Sequence, residues 1–124
     1  MENDKLSKNI FSLKYPERFS CNVEYYVEGH SVLLVRARDN FSDETLYIIF
    51  PWVIYISGAL RWNGANFSRE DEKCLEVIRR FQLIDELSIN NLGHLYHMYM
   101  VDTGSFTVIS WEATLKTEKP FIEK

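Results

Sequence analysis

The sequence predicts an α+β fold: an antiparallel β-sheet of about five to seven strands with one long amphipathic α-helix packed on one face. Three observations lead there. Segments alternating at period two, rich in β-branched and aromatic residues, occupy both halves of the chain. One segment between them, over 68–88, instead repeats its apolar residues every three or four positions. Gly- or Asn-containing turns separate these segments.

The elements follow in order. The polar ends, 1–9 and 116–124, are expected to be flexible, and 10–15 reads as extended up to Pro16. Over 21–28 the chain alternates, placing Cys21, Val23, Tyr25 and Val27 on one face and Asn22, Glu24, Tyr26 and Glu28 on the other. Gly29-His30 turns it into a second strand over 31–38, forming a hairpin. Strands are also expected over 45–50 and 52–56. Pro51 between them cannot donate to a ladder and marks a bulge, edge or bend. Asn63-Gly64 signals a turn. Ser68 is the expected N-cap of the helix, with Glu70, Asp71 and Glu72 in its first turn. Cys74, Val77, Ile78, Phe81, Ile84 and Leu87 form its apolar stripe. A last hairpin joins 94–101 to 105–115 through Asp102-Thr103-Gly104.

At 124 residues, with 46% hydrophobic content and no repeat or linker-like segment, one domain is expected over 1–124. The formal charge of −4 gives no basic footprint for a nucleic acid, so no nucleic-acid partner is expected. The N-terminus lacks an apolar signal region. The longest apolar run, 47–56, falls far short of the roughly 20 residues of a membrane-spanning helix. These features predict a soluble, cytoplasmic protein without a membrane partner. Cys21 and Cys74 are isolated and expected to stay thiols.

Catalytic, cofactor and metal motifs are absent from this reading. His94 and His97 lie three apart on an expected strand and so should point to opposite faces, while His30 is distant in sequence. Cys74 falls on the apolar stripe, where a thiol behaves as a small hydrophobe. The expectation is a protein that is not an enzyme and takes no cofactor. Arg36, Arg38 and Arg61, with Tyr55 and Trp62, resemble a single-strand-binding pattern only thinly, and aromatic strands pack cores more often than bases.

Surface recognition remains. Residues 96–100 are a dense aromatic and Met cluster, only one face of which can cover the helix; Tyr96, Met98 and Met100 are candidate interface residues. Glu24, Tyr26 and Glu28 form a second candidate, an aromatic within acid.

The extended run Trp52-Val53-Ile54-Tyr55-Ile56-Ser57, Trp62, a Gly-containing turn, and Ser68-Arg69-Glu70-Asp71-Glu72 opening an amphipathic helix resemble a segment of small bacterial immunity proteins. These are encoded beside polymorphic or contact-dependent growth-inhibition toxins. The resemblance spans 52–87 and implies a non-enzymatic cytoplasmic protein that binds a cognate toxin domain, often a nuclease, and blocks its active or substrate-binding surface. A homo-oligomeric structural or adaptor domain, including a homodimer, is the alternative. A small hydrolase comes third.

Overall fold

Two antiparallel sheets and two helices, rather than one sheet and one helix, make up the computed structural model, which describes residues 9–120. The strands in chain order are β1 (Phe19–Val27), β2 (Val32–Asp39), β3 (Thr45–Phe50), β4 (Tyr55–Gly58), β5 (Arg61–Asn63), β6 (Phe67–Arg69), β7 (His97–Val101), β8 (Phe106–Ser110) and β9 (Thr114–Lys116). The helices α1 (Asp71–Arg80) and α2 (Glu86–Leu92) lie between β6 and β7. One sheet has the order β5-β1-β2-β3-β9 and the other β4-β8-β7-β6. No helix among the described residues is long and apolar enough to cross a membrane.

Strand alternation sorts the core into two layers. Leu33, Val35, Ile48 and Phe50 of the five-stranded sheet meet Phe67, Tyr99, Val101, Phe106 and Val108 of the four-stranded one. The alternate residues Met98 and Ile109 face the other way, onto Cys74 and Ile78 of α1 and Ile89 of α2. Burying each large apolar side chain contributes about 1.5–3 kcal/mol, so the middle sheet, apolar on both faces, ties the layers together. The chain changes sheets at Pro51-Trp52: β3 belongs to the first sheet and β4 to the second. Pro51 therefore marks a bend, and the expected strand over 52–56 begins only at Tyr55. The expected strand over 105–115 divides in the same way. It breaks after Ser110, and β9 returns to pair with β3.

The first hairpin forms as expected, with a bulge. Pairing of β1 with β2 shifts register between Val23 and Tyr25, at Glu24. One extra residue exchanges the faces of everything after it. Tyr25 therefore pairs with Leu34 of the outer face, while Tyr26 pairs with Leu33 of the core face. The predicted division of 21–28 holds only up to the bulge.

The expected 68–88 helix is also corrected at both ends. Ser68 is a strand residue paired with Met100, and no side chain caps α1. The helix ends where Gln82 takes φ 52°, with Gln82 N–H donating to Arg79 O at 3.2 Å and Leu83 N–H to Ile78 O at 3.0 Å. This is the Schellman arrangement, with glutamine in the position glycine usually fills. Asp85 then starts α2, accepting the Ser88 amide at 2.7 Å. That hydrogen bond holds its carboxyl below the usual range. Replacing Gln82 with glycine removes the left-handed strain of about 1–2 kcal/mol, offset in part by glycine's chain entropy of about 0.5–1 kcal/mol. Gln82→Gly is expected to stabilise the protein by up to about 1 kcal/mol, read as a raised urea midpoint at unchanged slope; a lowered midpoint would contradict it.

The expected flexibility at 1–8 and 121–124 lies outside the described residues. Asn9 is buried, its side-chain oxygen accepting the Phe11 amide at 3.0 Å, and Ser12 adopts φ 55°, so the stretch after it turns rather than extending. Lys119 reaches Glu24 at 3.1 Å.

Candidate protein interface

The bend that carries the chain between sheets also builds its most unusual surface feature. Pro51 follows β3 with its own φ fixed and supplies no N–H, and Trp52 then takes φ 54°, a region bulky L-residues rarely enter. Two backbone bonds pin the segment. Val53 N–H donates to Ser31 O at 2.8 Å, and Trp111 N–H donates to Pro51 O at 3.2 Å. The Trp52 ring stacks on Trp111 with centroids 4.9 Å apart, and Tyr96 meets Trp111 edge-on at 6.2 Å. Trp52 nevertheless remains 54% exposed. The indole N–H of Trp111 is buried and has no acceptor among the described residues. Strained backbone, an exposed indole and an unsatisfied donor thus coincide in one cluster. Ser31, which accepts the Val53 amide, ends the turn that contains exposed Glu28, and exposed Glu112 follows Trp111.

The structure distributes the sequence-predicted residues unevenly. Tyr96 belongs to this aromatic cluster. Met98 does not reach the surface: it is 3% exposed and packs with Cys74 and Ile78, and Met100 joins the same layer partly buried. Neither face of β7 is open, because Tyr99 and Val101 point into the inter-sheet core. The condition for a surface Met patch is therefore not met. Glu24 is occupied by Lys119 at 3.1 Å and Arg36 at 3.7 Å. The Lys119 hydrogen bond is the leading cause that holds its carboxyl below the ordinary value. Tyr26 is exposed on the other side of the bulge, and Glu28 lies in the turn. Tyr26 and Glu28 line one depression with Tyr25 and His30, and Glu24 is not among its lining residues. Trp52 and Trp111, which sequence reasoning treated as strand residues, were signalled only by the proline before Trp52.

The histidines need a different account from the one their spacing suggested. His94 sits in the 3-10 turn Gly93–Leu95 rather than on a strand, so it and His97 line one depression of about 460 Å³. His97 Nδ1 lies 3.1 Å from Asp71 Oδ1. Among the described residues no group of three or more His, Cys, Asp or Glu is arranged to hold a metal. Cys74 lies under this depression, but burial, with a smaller contribution from Asp71, pushes its thiol up to about 11. Burial pushes Cys21 up to about 12. Both are expected to resist Ellman's reagent in the native protein at mildly alkaline pH and to react on unfolding. Rapid native reaction of either would contradict the burial described.

Compared with models of known protein families, with curated proteins and with solved structures, the chain matches none.

Proposed function

We propose that this chain is a protein-recognition domain that neutralises a cognate toxin domain, anchored by Trp52 with Trp111 and Tyr96. The observation that carries the reading is Trp52 itself, held in a strained conformation with its indole 54% exposed. Folding alone favours the opposite arrangement, a relaxed backbone and a covered ring. Tryptophan and tyrosine are the side chains that most often dominate protein interfaces, since they bury large area at low entropic cost. Exposed Glu28, in the turn that ends at Ser31, and exposed Glu112, next to Trp111, within a chain of formal charge −4, would complement a basic partner surface such as a nuclease face that grips phosphate. The toxin assignment draws on the resemblance of 52–87 to bacterial immunity proteins, a segment that includes Trp52.

The test is co-expression with the toxin domain encoded by the adjacent gene. Restored growth and a one-to-one complex that lacks toxin activity are expected. Continued toxicity, with both proteins present and folded, would contradict the proposal.

A further inference from the structure

The five-stranded sheet carries a second, chemically different surface. On the outer face of the five-stranded sheet, register places Asn22 of β1 between Arg36 of β2 and Arg61 of β5. Ser20 likewise lies between Arg38 and Asn63. Their side chains line a depression of about 490 Å³ that contains three arginines and no carboxylate. Its floor is organised: the Ser20 hydroxyl is 3.2 Å from Asn63 Oδ1 and accepts from Asn40 Nδ2 at 2.8 Å. Arg36 Nε donates to Asn22 Oδ1 at 3.2 Å and lies 3.7 Å from Glu24. The guanidiniums of Arg38 and Arg61 have no hydrogen bond or ion pair among the described residues. A chain with more acidic than basic residues thus concentrates uncompensated arginine on one sheet face, where like charges repel.

We infer that this face binds an acidic polypeptide segment of a partner protein, with Arg38 and Arg61 each gripping a carboxylate and Arg36 orienting beside them. Arginine's planar fork suits bidentate carboxylate recognition. Arg38 on β2 and Arg61 on β5 flank β1, roughly 10 Å apart across the sheet and two residues apart along it, so their forks take carboxylates that are not immediate same-side neighbours on the segment. Phosphates share this charge chemistry, but the aromatics that would stack bases are elsewhere. Trp62 stacks on Phe106 in the core with centroids 4.4 Å apart, and Tyr55 stacks on Phe81 at 5.6 Å. Tyr47, beside Arg36 on β3, and Tyr25, beside Leu34 on β1, are the rings that register brings to this face, too little for a run of bases, and Lys119 already lies over Tyr25 at 5.9 Å. This site shares no residue with the Trp52 cluster, so it stands whether or not the toxin assignment does.

The experiment is fluorescence anisotropy with a labelled oligo-glutamate peptide at low and physiological salt, alongside an oligothymidylate of equal charge. The oligo-glutamate is expected to bind saturably and more tightly than the oligothymidylate. Arg38→Gln with Arg61→Gln should weaken it by about tenfold or more. Lys73→Gln with Arg80→Gln, an equal charge loss on exposed α1, should change it by less than about twofold. Circular dichroism checks that both double variants remain folded. Absence of saturable binding at low salt, equal losses in the two double variants, or tighter binding of the oligothymidylate would each overturn the inference.

Discussion

Gly58→Ala is expected to destabilise the protein by about 3 kcal/mol or more, against a total stability of about 5–15 kcal/mol for a domain of this size. Gly58 ends β4 at φ 115°, beyond the range open to a residue with a side chain. Its neighbour Ala59 donates its N–H to Ser105 O at 2.9 Å, drawing that carbonyl over Gly58. A Cβ there would overlap the Ser105 oxygen and stand 2.9 Å from Phe106 Cα. Both obstacles are backbone, so no rotamer change relieves them. Conformational strain of about 1–3 kcal/mol and overpacking of about 1–3 kcal/mol add. Gly64→Ala is the matched control. It also has positive φ, 101°, but an added Cβ meets nothing within 4 Å. It should cost only the conformational part, about 1–2 kcal/mol. Urea denaturation of both variants separates the two causes, and equal losses would show that the close approach at Gly58 does not matter.

Trp52 variants should dissociate stability from binding. Trp52→Ala keeps the unfavourable φ and loses the stack on Trp111, a loss of about 0.5–1.5 kcal/mol. Trp52→Gly loses the same stack but relieves about 1–2 kcal/mol of strain, offset by glycine's entropy, so its stability should stay within about 1 kcal/mol of the parent. Both should weaken partner binding by about 2 kcal/mol or more, roughly thirtyfold, the scale of an interface tryptophan. A glycine variant as stable as the parent but defective in binding would identify the strain as retained for recognition. Loss of stability without loss of binding would make Trp52 a structural residue.

Legibility in the sequence followed the range of the interactions. β3 runs over Thr45–Phe50 as expected, because alternation and the flanking Pro51 are local signals. The two hairpins were legible for the same reason; at Asn63-Gly64 the chain instead ends β5 and passes to the other sheet, with Gly64 at φ 101°. The break in the helix was not, since Gln82 fills a position where glycine would have announced it. Asp85-Glu86-Leu87-Ser88 was nevertheless a readable second N-cap signal, hidden inside an unbroken apolar stripe. The division into two sheets was out of reach because alternation reports which side of a strand is apolar, not which sheet it joins. The bulge at Glu24 likewise broke an otherwise sound pattern in β1.

The candidate surfaces divide along the same line. Arg36 and Arg38 alternate with buried Val35 and Ala37, so their wet face was visible, but Arg61 joins them only through the β1–β5 pairing. Tyr96 was singled out, yet its partners Trp52 and Trp111 come from distant segments. Met98 looked like a surface anchor only until a second layer covered it.

The most direct test of the recognition proposal is calorimetric titration of the toxin domain that the proposal expects the adjacent gene to encode with the parent chain, Trp52→Ala and Trp52→Gly. One-to-one binding by the parent, weakened about thirtyfold or more in both folded variants, is the predicted result. Equal affinity of all three chains, or no binding by the folded parent, would contradict it.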